Sequence, residues 1–173
     1  GLHYHLPFPI ESVNKPKVTK VNRIEVGFRT SQSQFSQNSQ ARQVPEEALM
    51  LTGDENIVDL NFTIFWIIND AKDYLFNVRN PELTIKSIGE SAMREKIGQT
   101  PINPILSEGK SIVEEEVKNK VQKVLDYYKS GVLITQVQLQ KADPPELVIE
   151  SYRDVQRAKT DEQRLRNEAE AYR

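Results

Sequence analysis

A strict alternation of apolar and polar residues beginning at Val58 constrains the fold of this chain more than any other feature. Every even-numbered residue from Val58 to Ile68 is apolar, and the first three residues between them are polar. A period of two is typical of a strand with one buried face, and β-branched and aromatic side chains favour that interpretation further. Phe65 and Ile67 interrupt the polar face, so we expect the strand to become buried on both faces near its end.

The residues before this strand predict its hairpin partner. Leu49–Leu51 form a short apolar run, and Thr52–Asn56 contain the Gly, Asp and Asn residues that turns require. The sequence therefore predicts an antiparallel hairpin in which Trp66 and its neighbours belong to the core.

Composition limits the classes of function. The chain has 173 residues, of which 38% are hydrophobic and 28% are charged, so part of it should be an exposed helix or loop. A net charge of −2 does not favour a nucleic-acid binder. The absence of cysteine excludes disulfides, thiol catalysis and cysteine-bound metal. The longest apolar run, Ile64–Ile68, is too short to cross a bilayer.

The remaining patterns predict a mixture of strands and helices. A strand is expected around Ile24, Val26 and Phe28, followed by a Ser/Gln-rich loop at 30–46 to which no role is assigned. A short helix is predicted at 70–76, and a longer one at 81–99 with an apolar stripe. The residues of that stripe are Leu83, Ile88, Ala92 and Ile97.

A second long helix is predicted from Ser107 to Ser130. Its apolar positions have the three- and four-residue spacing of a buried face and are Ile112, Val113, Val117, Val121, Val124, Leu125 and Tyr128. Two favourable pairs four residues apart, Glu114–Lys118 and Glu116–Lys120, should support it. Gly131 is expected to end it.

A further strand is predicted at 132–140. Leu133, Val137 and Leu139 are expected on one side, and Val132 and Ile134 on the other with the glutamines.

The last predicted helix, 145–173, differs from the others because dense charge separates its apolar residues. These form an apolar seam of seven residues: Val148, Tyr152, Val155, Ala158, Leu165, Ala169 and Tyr172. Such a helix cannot bury itself alone, so we interpret it as the start of a longer coiled coil and the seam as an oligomer or partner interface. The alternative is an exposed terminal helix that frays. Because coiled coils need several heptads, these residues alone should be monomeric or weakly associated.

Lys15, Lys17, Lys20 and Arg23 make the N-terminal region basic. They suggest either a solvated strand face or contact with anionic lipid headgroups, if a membrane anchor precedes residue 1.

The sequence contains no convincing catalytic or metal-binding motif. His3 and His5 could share one face of a strand, but two donors are too few for a metal site. Ser107 and Lys110 match the S-x-x-K pattern of some serine hydrolases without its companion motifs, and Ser107 is better explained as a helix N-cap. We therefore expect no enzyme activity, no cofactor and no metal.

Collinear motifs along nearly the whole chain carry a resemblance to a known family. They lie at 1–2, 6–11, 51–58, 74–76, 92–98, 105–109, 144–145 and 168–172. In this order they resemble the SPFH (band 7, prohibitin-homology) family. Within it, the Thr52–Asn56 turn is more similar to one bacterial branch than to that branch's paralogue.

The resemblance implies an α+β SPFH domain with an antiparallel or mixed sheet packed by helices. We expect this domain at 1–144, with a possible subdomain boundary near 80, and the start of a coiled-coil helix at 145–173. The bacterial branch implies a non-enzymatic, membrane-anchored scaffold on the periplasmic side of the inner membrane. Its partners would be an HflC-like paralogue and an FtsH-like membrane protease. The alternative from the same family is a stomatin-, flotillin- or prohibitin-like organiser of lipid microdomains.

Overall fold

A twelve-residue strand, β5 (Ile57–Ile68), is the centre of the fold. The structure is a computed structural model that describes Tyr4, Ile10 and residues 13–30, 42–106, 109–145 and 148–172. Its strands are β1 (Asn22–Val26), β2 (Phe28–Arg29), β3 (Arg42–Gln43), β4 (Leu49–Leu51), β5 and β6 (Val132–Asp143). Its helices are α1 (Pro45–Ala48), α2 (Ala71–Phe76), α3 (Pro81–Gly98), α4 (Ile102–Leu106), α5 (Lys110–Tyr127) and α6 (Ile149–Ala171).

The strands around β5 are all antiparallel to it. β4 pairs with its first residues through the predicted hairpin, and β1 pairs with its second half from Asn22 opposite Trp66 to Val26 opposite Phe62. β6 runs along the other edge, from Val132 opposite Ile68 to Asp143 opposite Asp59. β2 and β3 form a separate two-stranded ribbon. The α+β fold class is therefore confirmed.

The even-numbered residues of β5 are buried in a core shared with α3 and α5, as the alternation predicted. Double-sided burial occurs earlier in the strand than expected. Asn61 and Thr63 are buried, whereas Phe65 and Ile67 remain partly exposed. Polar residues are tolerated on this face because they find partners: Gln140 Nε2 donates to Thr63 Oγ1 at 3.0 Å.

The buried stripe of α3 differs from the predicted one. Leu83 is 63% exposed, whereas Ile85 and Met93 are fully buried beside Ala92 and Ile97. The reason is the close approach of α3 to β5 at Gly89, where an added Cβ would lie 2.2 Å from Ile64 Cδ1. This glycine fixes the face that α3 turns towards the sheet.

Helix α5 buries Val113, Val117, Val121 and Leu125 as predicted. Ile112 and Tyr128 were wrongly assigned to that face, and they are 59% and 57% exposed. The charged residues pair between helices and not along α5: Glu116 pairs with Lys96, and Lys120 pairs with Glu95. The packing of α3 against α5 brings these oppositely charged side chains together.

The end of α5 does not use glycine as expected. Lys129 has the positive φ of 48° that closes the helix, and the Ser130 N–H donates to Leu125 O at 3.0 Å. Gly131, with φ of 67°, serves the next turn, where its carbonyl accepts from the N–H groups of Asn69 and Asp70.

Strand β6 changes face part-way, which explains why its prediction was wrong. Val132 and Ile134 are buried together with Val137 and Leu139, while Leu133 is 40% exposed. The register against β5 shifts between Ile134 and Gln136 and again between Leu139 and Lys141. Each bulge adds one residue to β6 and so reverses the alternation that follows it.

Helix α5 also covers the outer edge of β6. Glu114 Oε1 accepts from the Leu139 N–H at 2.7 Å, and Gln122 Oε1 accepts from the Ile134 N–H at 2.8 Å. Gln122 Nε2 donates in turn to Val132 O at 3.2 Å. These side chains satisfy strand groups that would otherwise be free to pair with another chain.

Candidate interaction surface

The apolar seam predicted for the last helix lies on α6, which has no buried residue. Val148 is the residue before its first turn, and Tyr152 is half-buried. Farther along, Leu165 is 59% exposed and Tyr172 is 93% exposed. Ala158 and Ala169 are exposed as well. The helix start predicted at 145 is four residues too early, since α6 begins at Ile149.

The first turns of α6 meet the body of the domain at one groove of about 320 Å³. Its apolar lining includes Ile57, Ile102, Val148 and Val155. Tyr152 Oη donates to Asn103 Oδ1 at 3.2 Å across this groove. Burial raises the pKa of Tyr152, and the nearby Asp54 carboxylate adds to that effect against an opposing hydrogen bond with Gln156. Tyr152 therefore stays a neutral donor near neutral pH.

The β4–β5 turn holds the opposite wall of this groove in place. Asp54 Oδ1 accepts from Thr52 Oγ1 at 2.6 Å and from the Ile102 N–H at 3.1 Å. Burial alone would raise the pKa of Asp54, but the hydrogen bonds from Thr52, Asn56 and Ile102 outweigh it and lower the pKa. The turn is thus bonded to the start of α4, the helix that carries Asn103.

The basic residues lie at the other end of the sheet. Lys15, Lys17, Lys20 and Arg23 are exposed, and Arg23 is 3.6 Å from Glu25. They precede or begin β1, which starts opposite Trp66, whereas β6 ends opposite Asp59 and leads to α6. The basic segment therefore enters the sheet near one end of β5, and the connection to α6 leaves the sheet near the other end.

A second charged cluster joins β2, α1 and α3. Glu47 accepts from Lys86 Nζ at 2.6 Å, from Arg29 Nη2 at 2.7 Å and from the Gly27 N–H at 3.4 Å. Burial alone would raise the pKa of Glu47, but these bonds outweigh it and lower the pKa. The cations are paired, so the cluster serves packing between elements and offers no vacant anion site.

Of the residues considered for chemistry, the structure describes only Lys110. His3, His5 and Ser107 lie outside the described residues, and Lys110 begins α5. Within the described ranges, no group of three or more acidic or histidine side chains is arranged to hold a metal ion. Nor does any helix in those ranges have the length and apolar character needed to span a membrane.

The antiparallel sheet around β5, its covering helices and the exposed helix α6 together make up an α+β domain. The chain belongs to the SPFH domain / Band 7 family, whose profile matches residues 1–173.

Relatives within the family share the name HflK. The chain is 39% identical to "Protein HflK" of Treponema pallidum over 170 residues, which are 97% of this chain and 51% of that protein. It is 33% identical to "Protein HflK" of Borreliella burgdorferi over 169 residues, or 97% of this chain and 53% of that protein. It is also 30% identical to "Modulator of FtsH protease HflK" of Escherichia coli over 131 residues, or 76% of this chain and 31% of that protein.

These relatives confirm both the family and the branch that the Thr52–Asn56 turn indicated. The chain spans about half the length of the first two relatives. The name of the Escherichia coli relative describes that protein as a modulator of FtsH protease.

Sequence reasoning missed Asn103, Asp54 and Glu114. Asn103 lies between Pro101 and Pro104, in a segment that carries no periodic signal. Glu114 was predicted to pair with Lys118, because its contact with a strand 25 residues away is invisible in local spacing. Asp54 was recognised as a turn residue, but its bond to the start of α4 depends on tertiary structure.

Proposed function

We propose that this chain is the SPFH part of a non-enzymatic, membrane-anchored scaffold subunit resembling HflK. In this proposal it assembles with an HflC-like paralogue and modulates an FtsH-like membrane protease, on the periplasmic side of the bacterial inner membrane. The observation that carries the proposal is the family match over the whole chain, joined to the similarity with an FtsH modulator. We take the domain to be residues 1–144 and the coiled-coil start to be 145–173.

The exposure of α6 supports an assembly role. A 23-residue helix without a buried residue leaves its apolar side chains in water, and a partner helix would remove them from it. We place this partner contact at Ala158, Leu165, Ala169 and Tyr172. Charged residues flank these positions on α6 and would favour a charge-complementary partner.

The basic segment supports a membrane-facing orientation. Residues 13–23 contain Lys15, Lys17, Lys20 and Arg23 and no acidic residue. Each cation near an anionic bilayer surface contributes about 1 kcal/mol of attraction. We propose that these four residues contact lipid headgroups next to an anchor, while α6 leaves from the opposite end of β5.

Co-purification of the full-length, anchored protein from bacterial membranes tests this function. We expect the FtsH-like protease and the HflC-like paralogue to be recovered with it. Leu165→Asp should reduce recovery of the paralogue, because it places a charge at the proposed contact. Gln163→Asp is the matched control, since it adds the same charge to an exposed position off the seam.

Two results would contradict the proposal. Recovery of lipid microdomains without any protease would favour the stomatin-like alternative. Equal recovery of the paralogue with both aspartate variants would show that the seam is not part of the interface.

A further inference from the structure

The seam on α6 has two parts in different surroundings. Val148, Tyr152 and Val155 line the groove against the domain together with Ile57 and Ile102. The residues from Ala158 to Tyr172 lie beyond the groove and are exposed. The sequence shows a change of frame at the same place, because the spacing that joins Val148, Tyr152 and Val155 next reaches Lys159.

The first part of the seam is held by a chain of specific contacts. Thr52 and the Ile102 N–H both bond to Asp54, which ties the β4–β5 turn to α4. Asn103 on α4 then accepts from the Tyr152 hydroxyl. These contacts connect α6 to the β4–β5 turn through α4.

We propose that Tyr152 is a positioning residue that docks the first turns of α6 onto its own domain and so fixes the direction in which the helix leaves. The surface from Val148 to Val155 then contacts the chain's own domain. A partner helix contacts only the surface from Ala158 onward. This concerns the chain alone, so it stands or falls independently of the proposed protease partner.

The length of α6 makes this direction important. From Tyr152 to Tyr172 a helix rises roughly 30 Å, at about 1.5 Å per residue. A change of about 20° at the base would displace the far end by roughly 10 Å, about the distance between packed helix axes. A small contact at the base thus decides where the partner-facing surface lies.

Distance measurement between two spin labels tests the proposal, and the absence of cysteine makes labelling simple. Labels at Ser87→Cys on α3 and Gln163→Cys on α6 occupy exposed positions. Tyr152→Ala should broaden the distance distribution at least twofold relative to the parent. Tyr172→Ala is the matched control, since it removes the same side chain from the exposed residue that follows the last turn of α6, and it should leave the distribution unchanged.

A second variant keeps the test decisive if Tyr152→Ala perturbs folding. Val155→Asp alters a half-exposed groove residue outside the buried core, so the domain should fold and the distribution should still broaden. Circular dichroism and the emission of Trp66 report the fold of each variant. An unchanged distribution in the folded Tyr152→Ala or Val155→Asp protein would overturn the proposal, as would equal broadening by Tyr172→Ala.

Discussion

Removal of the Glu114 carboxylate is expected to destabilise the domain through the edge of β6. Glu114 is partly buried, and its Oε1 accepts from the Leu139 N–H at 2.7 Å. Leu139 is only 2% exposed, so water cannot readily replace the lost acceptor in Glu114→Ala. The perturbation therefore leaves a backbone donor near the core without a partner.

The magnitude follows from the charge of the acceptor. A hydrogen bond to an ionised group contributes about 1.5–3 kcal/mol, and an unsatisfied buried N–H costs a similar amount. We expect Glu114→Ala to lower the free energy of unfolding by about 2 kcal/mol, equivalent to about 4–8 °C in Tm for a chain of this size. Glu114→Gln keeps a neutral acceptor and should cost about half as much.

Urea unfolding followed by fluorescence measures this difference directly. Trp66 is the single tryptophan and is 1% exposed, so its emission reports the core. Glu115→Ala is the matched control, because it makes the same change at an exposed position of α5 and cancels the gain in helix propensity. If the Ala variants at 114 and 115 were equally stable, the contact with β6 would carry no stabilisation and our reasoning would fail.

Three further outcomes follow from the structure. Gly131→Ala should lower the free energy of unfolding by about 2–4 kcal/mol, because φ is 67° and the new Cβ would lie 2.4 and 2.7 Å from backbone atoms. Gly98→Ala, whose nearest contact is at 3.9 Å, should change the unfolding free energy by less than about 1 kcal/mol in the same urea assay. In the folded state the pKa of Glu47 lies below its ordinary value of 4.5. Its contribution to the free energy of unfolding is therefore present above pH 4.5 and is lost as the pH falls through the folded pKa. Glu47→Gln should therefore be less stable than wild type at about pH 7 and approach it at about pH 3, and a constant difference in thermal unfolding across that range would refute this. Gly89→Ala should destabilise the parent but stabilise the Ile64→Val background, because Val lacks the Cδ1 that lies 2.2 Å from the new Cβ. The double-mutant cycle should show a coupling of about 1–3 kcal/mol, and simple additivity would argue against the close approach of helix and strand.

The accuracy of the sequence predictions depended on whether an element had local signals. The β4–β5 hairpin and four buried positions of α5 were correct, because turn residues and periodicity are properties of neighbouring residues. The faces of β6 were wrong, since the bulge between Ile134 and Gln136 reverses its alternation and only pairing with β5 reveals it. The stripe of α3 was right at Ala92 and Ile97 but wrong at Leu83, because the face is chosen at Gly89 by the shape of Ile64 on another element.

The interaction surface shows the same division. The spacing of apolar residues identified the seam on α6 without any structure, but Tyr152 and Leu165 were then equivalent members of it. Their surroundings distinguish them: Tyr152 bonds to Asn103 across the groove, whereas Leu165 is 59% exposed.

The sequence alone determined the central strand, the class of domain and the apolar seam, because alternation, turn chemistry and collinear family motifs are written in local order. Only the tertiary structure decided which residues meet across the chain. Glu114 reaches Leu139, and Asp54 reaches the N–H of Ile102, over 25 and 48 positions. Those contacts depend on how whole helices and strands are placed relative to one another. The packing of the common core determines that placement, and it cannot be read from a local sequence pattern.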